Sequence, residues 1–178
     1  MIRLLVLDVD GTMTDGGVYY DATGNELKKF AIKDGAGLVL ARTAGIRVMI
    51  CTGRECEAVR RRAADLKITD IYQNVGKKEA FLRDFMAENG YARDDVAYCG
   101  DDLNDRGGYG AVRLCGLARR MPRRRCGRAP TISAPSAAAR VPSAELWRRS
   151  CAGTDARNDA VKKAFQVEIS NAKLAGGL

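Results

Sequence analysis

The sequence predicts an α/β protein built on a doubly wound parallel sheet, without a large cap domain and with a β-hairpin after the first strand. Through residues 1–105, short apolar runs alternate with amphipathic helical segments, which is the pattern of βαβ units. The apolar runs are nearly continuous, as in strands that are buried on both faces. Each is followed by a polar cluster, at the end of the strand where ligands bind in open α/β sheets.

Four core strands and one hairpin account for the strand-forming segments. The first strand, Arg3–Leu7, is a continuous apolar run that ends at Asp8. The later core strands are predicted at Arg47–Cys51, Asp70–Gln73 and Asp95–Cys99. Between the first two core strands, the turn-like residues 21–25 separate two short extended segments, which predicts a hairpin with strands Val18–Tyr20 and Leu27–Ile32.

Three helices connect these strands. They are predicted at Ala36–Ala44, where Gly45 stops the helix, at Glu55–Leu66 and at Lys77–Asn89, which Gly90 caps. No regular pattern of comparable strength follows Asp105. The sequence therefore predicts a core over residues 1–105, with the hairpin at 16–32, and an atypical region over 106–178.

Charge divides the chain at the same point. The 178 residues carry a net charge of +8. Residues 1–105 contain 15 Lys and Arg against 18 Asp and Glu, whereas residues 106–178 contain 15 against 4. Residues 106–157 hold twelve arginines and no lysine. Such a composition resembles a GC-rich gene translated out of frame and predicts poor order. The alternatives are a protein that this region leaves inactive, or one that binds nucleic acid through a basic arm. The scarcity of interleaved aromatic residues disfavours nucleic-acid binding.

Histidine is absent, which excludes imidazole acid–base catalysis and histidine metal ligands. The six cysteines contain no CxxC pair, so neither a zinc site nor a disulfide framework is indicated. Cys51 and Cys99 lie inside apolar runs and are expected to be buried and reduced. The start of the chain lacks the features of a secretory signal, and no apolar run is long enough to span a bilayer. We therefore expect a cytoplasmic protein without a membrane partner.

Two polar clusters follow the first two core strands. Asp8 and Asp10, at i and i+2 of an extended chain, point to the same side, and Gly11 allows a sharp turn behind them. Such a pair can combine a nucleophile with a proton donor, or bind a divalent cation. Thr52 and the amides of Gly53 and Arg54 can hold a phosphoryl oxygen. Taken singly, the first cluster also fits a solvated Asp-Gly turn and the second a strand–helix turn.

Two more clusters follow the later strands. Lys77 and Lys78 open a helix, where an ammonium can offset the charge of a transferring phosphoryl group. Asp101, Asp102 and Asp105 follow the fourth core strand and can complete an oxygen-rich magnesium shell. Surface lysines and an acidic turn are the alternatives. All four clusters fall at the same edge of one predicted sheet, which favours a joint site.

These motifs together resemble the haloacid dehalogenase superfamily. The features that carry the likeness are Asp-x-Asp-Gly-Thr at 8–12, Thr-Gly-Arg at 52–54, the lysine and Gly-Asp-Asp-x-x-Asp at 100–105. Residues 15–20, 24–30 and 34–37 are similar to the capless branch of that superfamily, which comprises 3-deoxy-D-manno-octulosonate 8-phosphate phosphatases and nonulosonate 9-phosphate phosphatases. The resemblance implies a Mg²⁺-dependent phosphatase that forms an aspartyl-phosphate intermediate.

Residue by residue, the resemblance makes Asp8 the nucleophile and Asp10 the general acid and later base. Thr52 and Lys78 bind the phosphoryl group, and Lys78 fits the family spacing better than Lys77. Mg²⁺ is held by Asp8, the carbonyl of Asp10 and Asp101.

The remaining implications concern support, substrate and assembly. Asp102 and Asp105 support the metal site, and Gly53 and Arg54 contact the substrate. Arginine at position 54 favours an octulosonate phosphate and hence lipopolysaccharide biosynthesis, whereas the stretches at 16–21 and 60–63 are closer to the nonulosonate group, which stays the alternative. The branch implies a homotetramer in which the hairpin, here 18–30, and the C-terminal tail close a neighbour's site.

Overall fold

A computed structural model of the chain describes residues 2–100, 114–117 and 131–133. Within these residues, six parallel strands form one sheet and two antiparallel strands form a separate ribbon. The strands are β1 Leu4–Leu7, β2 Tyr19–Tyr20, β3 Glu26–Leu27, β4 Arg47–Cys51, β5 Asp70–Tyr72, β6 Val96–Gly100, β7 Leu114–Leu117 and β8 Thr131–Ser133. The helices are α1 Ile32–Thr43, α2 Glu57–Asp65 and α3 Lys78–Glu88, with a 3₁₀ turn at Arg93–Asp95.

The strand order of the large sheet is β5-β4-β1-β6-β7-β8. The chain leaves β1 toward β4 on one side and leaves β6 toward β7 on the other, so the order reverses between the adjacent strands β1 and β6. In open α/β sheets, ligands bind at such a reversal, outside the carboxyl ends of the strands. The predicted doubly wound parallel sheet is confirmed.

Hydrophobic residues are buried on both faces of this sheet. Leu5 and Leu7 of β1 belong to a cluster that packs against α1 and α2, whereas Leu4 and Val6 belong to a cluster that packs against α3. All four are at most 2% exposed. Since successive side chains of a strand point to opposite faces, the uninterrupted apolar run of β1 serves both clusters at once.

Helix α1 begins four residues earlier than predicted, at Ile32 rather than Ala36. Gly35 and Gly37 disfavour a helix in the sequence pattern, because glycine has low helix propensity. In the structure, Gly35 lies against α2, where a Cβ atom would come within 2.6 Å of the Arg62 guanidinium. The glycine leaves room for that guanidinium, and α1 runs through Gly35 despite the low helix propensity of glycine. The predicted second hairpin strand, Leu27–Ile32, is correspondingly shorter and ends at Leu27.

The other predicted elements match within one or two residues. Helix α2 begins at Glu57 rather than Glu55, because the amide of Cys56 donates to Gln73 Oε1 at 2.8 Å and its backbone is extended. β5 ends at Tyr72, one residue before the predicted end. The antiparallel β2–β3 pair is present, and a single bridge between Thr14 and Phe30 continues it toward β1.

Two short strands lie in the region after Asp105, for which the sequence predicts no element. β7 pairs with β6 and β8 pairs with β7, both in parallel. These strands are only four and three residues long and stand in an arginine-rich context, so no hydrophobic period marks them in the sequence. The backbone N–H and C=O groups at the edge of β6 can form hydrogen bonds with a short segment, and such pairing leaves no hydrophobic period in the sequence. The rest of the region 106–178 lies outside the described residues.

Two further expectations concern thiols and membranes. Cys51 and Cys99 are fully buried and not disulfide-bonded, as predicted. None of the helices in the described part of the chain has the length and apolar character needed to cross a membrane.

Candidate active site

Asp8 and Lys78 form a buried ion pair at the carboxyl edge of the sheet. Lys78 Nζ donates to Asp8 Oδ1 at 2.7 Å, although 70 residues separate the two in sequence. Asp8 follows β1, and Lys78 is the first residue of α3; they are 5% and 4% exposed. The neighbouring Lys77 is exposed. Because each buried ion costs several kcal/mol to desolvate, the pairing indicates a site that needs both charges.

The segment after β1 is folded into a tight turn. Gly11 has φ of 83°, a left-handed conformation that favours glycine. The amides of Thr12, Met13 and Thr14 all donate to the carbonyl of Val9. The amide of Asp8 itself donates to the carbonyl of Cys99 at 2.9 Å, which fixes the end of β1 against β6. The nucleophile candidate therefore sits on rigid backbone.

Thr52 occupies the corresponding position at the end of β4. It is 2% exposed, its amide donates to Tyr72 of β5, and its carbonyl accepts from Val75. β4 is paired with β1 in the register Leu7 to Ile50, so Asp8 and Thr52 follow adjacent strands at the same edge. Gly53 continues the same loop, and a Cβ there would lie 3.8 Å from the carbonyl oxygen of Val75.

Asp10 and Arg54 are linked through two residues of the hairpin. Lys28 Nζ contacts both Asp10 Oδ1 and Glu26 Oε1, the latter at 2.8 Å. Glu26 Oε2 accepts from the Arg54 guanidinium at 2.9 Å. The four charges alternate in sign along this chain of contacts. The Lys28 side chain is only 1% exposed, whereas that of Asp10 is 29% exposed and that of Arg54 is 44% exposed.

Contacts among these linked side chains stabilise the charged forms of Glu26 and Lys28. The hydrogen bond from Lys28 is the main reason that the pKa of Glu26 lies below its usual value of 4.5. Desolvation acts to lower the pKa of Lys28, but the hydrogen bonds to Asp10 and Glu26 together outweigh it, so the pKa lies above the usual 10.5. Lys28 is therefore cationic, and Glu26 anionic, at neutral pH.

Glu26 and Lys28 are absent from the site that the sequence motifs define. The sequence carries one indication of them. In an extended chain, side chains alternate between two faces, so residues 26 and 28 point to the same face and residue 29 points to the other. Lys29 instead lies 77% exposed, 3.9 Å from Asp15. Knowing which face meets the site requires the path of the hairpin, which the sequence does not give.

The acidic cluster Asp101, Asp102 and Asp105 lies outside the described residues. Asp101 directly follows Gly100, the last residue of β6, and the preceding Cys99 is hydrogen-bonded to Asp8. Residues 2–100 and the two outer strands gather no group of three His, Cys, Asp or Glu side chains that could hold a metal ion. A further acidic ligand would thus have to come from beyond them. The donors present at this edge, the carboxylate of Asp8 and the backbone carbonyl of Asp10, are oxygen ligands of the kind that Mg²⁺ accepts, so the residues fit that ion.

The sequence is similar to curated phosphatases over its first part. A 104-residue segment is 45% identical to the 3-deoxy-D-manno-octulosonate 8-phosphate phosphatase KdsC of Escherichia coli K12, and it covers 58% of this chain and 55% of that protein. The chain thus matches about half the length of this curated relative. No protein-family model matches the sequence.

Solved structures extend the likeness. A 3-deoxy-D-manno-octulosonate 8-phosphate phosphatase from Moraxella catarrhalis, in complex with magnesium, phosphate and KDO, superposes with a TM-score of 0.62 at 34% identity over 66% of this chain and 68% of that one. A protein from Legionella pneumophila described as a HAD superfamily (subfamily III A) hydrolase superposes with a TM-score of 0.72 at 32% identity, over 92% of this chain and 85% of that one. Fold and relatives together define the class. The chain belongs to the haloacid dehalogenase (HAD) superfamily.

Proposed function

We propose that this chain is a Mg²⁺-dependent phosphomonoesterase that hydrolyses a sugar-acid phosphate through an aspartyl-phosphate on Asp8. The observation that carries the proposal is the buried contact of 2.7 Å between Lys78 Nζ and Asp8 Oδ1 at the carboxyl edge of the sheet. A carboxylate buried beside a fixed cation, with a second carboxylate two residues further on, suits nucleophilic attack on phosphorus. Few structural roles would require both charges to be buried there.

The first half-reaction transfers the phosphoryl group to the protein. A carboxylate oxygen of Asp8 attacks phosphorus while the bond from phosphorus to the ester oxygen breaks. The leaving oxygen takes that electron pair and accepts a proton from the carboxyl group of Asp10. Lys78 and the Thr52 hydroxyl contact the phosphoryl oxygens and offset their charge.

The second half-reaction restores the protein. Asp10, now a carboxylate, takes a proton from a water molecule as its oxygen attacks the phosphorus of the aspartyl-phosphate. The bond from phosphorus to Asp8 breaks, inorganic phosphate leaves, and Asp10 is again protonated. Each carboxyl group thus ends the cycle as it began.

Asp8, the carbonyl of Asp10 and Asp101 would hold Mg²⁺, with Asp102 and Asp105 in support. When bound, the ion would supply positive charge that offsets the repulsion between the substrate phosphate and the Asp8 carboxylate. The similarity to a phosphatase solved with magnesium supports this assignment.

The substrate we favour is 3-deoxy-D-manno-octulosonate 8-phosphate, which the similarity to phosphatases of that name supports. The side chain of Arg54 is 44% exposed and paired with Glu26, and its guanidinium can also pair with a sugar carboxylate. Gly53 contributes backbone to the same subsite. A nonulosonate 9-phosphate is the alternative, and it would present the same carboxylate to Arg54.

We further propose a cytoplasmic homotetramer built from a core at 1–105 and a tail at 106–178. Apolar side chains exposed on and beside the hairpin support association, since exposed apolar patches of this kind mark interfaces. They are Val18 at 51%, Tyr19 at 44%, Tyr20 at 64%, Leu27 at 49% and Ile32 at 87% exposed.

The decisive experiment measures phosphate release from octulosonate 8-phosphate with Mg²⁺, in the wild-type protein and in Asp8→Asn. We expect turnover in the wild type and none in the variant, because an amide is not a competent nucleophile. Asp84→Asn, at an exposed position of α3, is the matched control and should retain activity. Equal turnover in wild type and Asp8→Asn would sink the assignment of the nucleophile.

A second arm compares octulosonate 8-phosphate, a nonulosonate 9-phosphate and simple sugar phosphates that lack a carboxylate. We expect the two acids to be preferred and Arg54→Met to remove that preference mainly through KM. Equal hydrolysis of acidic and neutral sugar phosphates would contradict the substrate class while leaving the phosphatase assignment in place.

A further inference from the structure

We propose that Lys28, a residue of the hairpin, is a positioning residue that fixes the orientation of Asp10 for proton transfer to the leaving group. This inference rests on the proposed function, and it adds a residue outside the four polar clusters to the reaction. The juxtaposition that carries it is the contact of a fully buried ammonium with one oxygen of the candidate general acid.

Burial makes this contact informative. The Lys28 side chain is 1% exposed, although lysine is almost never buried unless it is paired. Its stem reaches 18 residues back along the chain to Asp10, and its ammonium is held from the other side by Glu26 at 2.8 Å. The next residue, Lys29, is exposed, and its ammonium lies 3.9 Å from Asp15. The hairpin thus delivers one of two adjacent lysines into the site.

Geometry assigns the two oxygens of Asp10 different tasks. Lys28 contacts Oδ1, and within the described residues no side chain is hydrogen-bonded to Oδ2. The Asp10 side chain keeps 29% of its surface exposed, so a substrate can reach it. With Oδ1 anchored, Oδ2 is left to carry the proton. When the ester bond breaks, the electron pair passes to the leaving oxygen, and that oxygen takes the proton from Oδ2.

Glu26 makes the anchor rigid. It contacts Lys28 through Oε1 and Arg54 through Oε2, so the ammonium has a fixed partner on each side. Lysine has a flexible four-carbon stem and would position a carboxylate poorly without such support. The alternative role for Lys28 is merely to fasten the hairpin to the core, and the two roles differ in what they do to the chemistry.

The test exploits the leaving group. A sugar alkoxide needs a proton in the transition state, whereas 4-nitrophenolate departs as a stable anion and needs little help. In Lys28→Met we expect kcat to fall about 10²-fold for the sugar-acid phosphate, within the contribution of a general acid, and only a few-fold for 4-nitrophenyl phosphate. KM should change little. Lys29→Met, on the same hairpin, should behave as wild type.

Two more variants separate positioning from fastening. If Lys28 acts through Asp10, adding Lys28→Met to Asp10→Asn should cause no further loss of kcat, because the group being positioned is already gone. Lys28→Arg keeps the charge with a different reach and should restore part of the activity of Lys28→Met. If Lys28→Met fails to fold, the activity of Lys28→Arg on the two esters is compared with that of the wild type instead.

Equal losses for both esters, or full additivity with Asp10→Asn, would overturn the proposal. A crystal structure of Lys28→Met gives a readout that does not need activity: we expect the Asp10 carboxylate to leave its wild-type position, and an unmoved carboxylate would refute positioning. If the wild type hydrolyses neither ester, the proposed function fails, and the crystal structure still decides whether Lys28 orients Asp10.

Discussion

At the scale of single residues, two pairs of adjacent lysines differ in burial: in each pair one lysine is buried and the other is exposed. Lys78 is buried on Asp8 while Lys77 is exposed, and Lys28 is buried on Asp10 while Lys29 is exposed. Composition and charge do not distinguish the members of either pair. Their surroundings do, because burial makes a cation dependent on its partner.

Lys78→Met should lower phosphate release by about 10²- to 10³-fold, the usual effect of removing one group that offsets transition-state charge. It should also lower the free energy of unfolding by about 3–5 kcal/mol, since the cation on a buried carboxylate is lost. Lys77→Met is the matched control. Phosphate-release kinetics and urea unfolding measure the two effects, and similar behaviour of the two variants would contradict the role of Lys78.

At the scale of elements, the hairpin turn is held by Asp21. Its carboxylate accepts from the amides of Thr23 and Asn25, from the Thr23 hydroxyl and from the Asn25 side chain. Hydrogen bonds from the Asn25 side chain and then the Thr23 hydroxyl are the main causes that hold the pKa of Asp21 well below its usual 3.8. These bonds favour the ionised form of the turn.

Asp21→Ala should loosen the hairpin at neutral pH. A carboxyl whose folded pKa is depressed contributes stability that is present above the unfolded value of 3.8 and is lost as pH falls through the lower folded value. The difference in unfolding free energy between wild type and Asp21→Ala should therefore be constant above pH 5 or so and shrink below 3.8. Unfolding of both proteins across this pH range tests it, with exposed Asp65→Ala as control; a gap that widens in acid would contradict the assignment.

Helix α3 sets the position of Lys78 and depends on its own apolar face. Leu82 is fully buried in the cluster with Leu4, Val6 and Tyr98. Leu82→Ala should lower the free energy of unfolding by about 2–5 kcal/mol, the usual cost of such a cavity. Glu79→Ala, on the exposed face of the same helix, should change it by less than about 0.5 kcal/mol. Urea unfolding measures both, and equal values would show that α3 is not docked as described.

At the scale of the whole molecule, binding of an ion at the carboxyl edge of the sheet is linked to the stability of the fold. Asp8 and Thr52 lie at the same edge of the sheet as Gly100, the end of β6, because the three strands are adjacent in the order β4-β1-β6. An ion that binds this edge in the folded protein alone stabilises the entire domain by mass action.

Mg²⁺ should therefore raise the stability of the wild-type protein, by about 2.7 kcal/mol when its concentration reaches a hundred times Kd. Asp8→Asn should largely remove this dependence, because it removes one carboxylate ligand. Thermal unfolding over a magnesium titration measures the effect, with Asp84→Asn as control. The same slope in Asp8→Asn and wild type would place the ion elsewhere.

The sequence alone determined the parallel α/β architecture, because a continuous apolar strand and an amphipathic helix each leave a periodic record. It also supplied the catalytic candidates Asp8, Asp10, Thr52 and Lys78, because the motifs that contain them resemble those of the haloacid dehalogenase superfamily. Local patterns of this kind depend only on neighbours along the chain.

Only the tertiary structure decided the rest. Helix α1 begins at Ile32 and runs through Gly35, which lies against the Arg62 side chain, and the short strands β7 and β8 are paired in order along the edge of β6. The link from Asp10 through Lys28 and Glu26 to Arg54 likewise arises where the hairpin meets two loops. Contacts between residues distant in sequence leave no period in the chain, so the sequence could not reveal them.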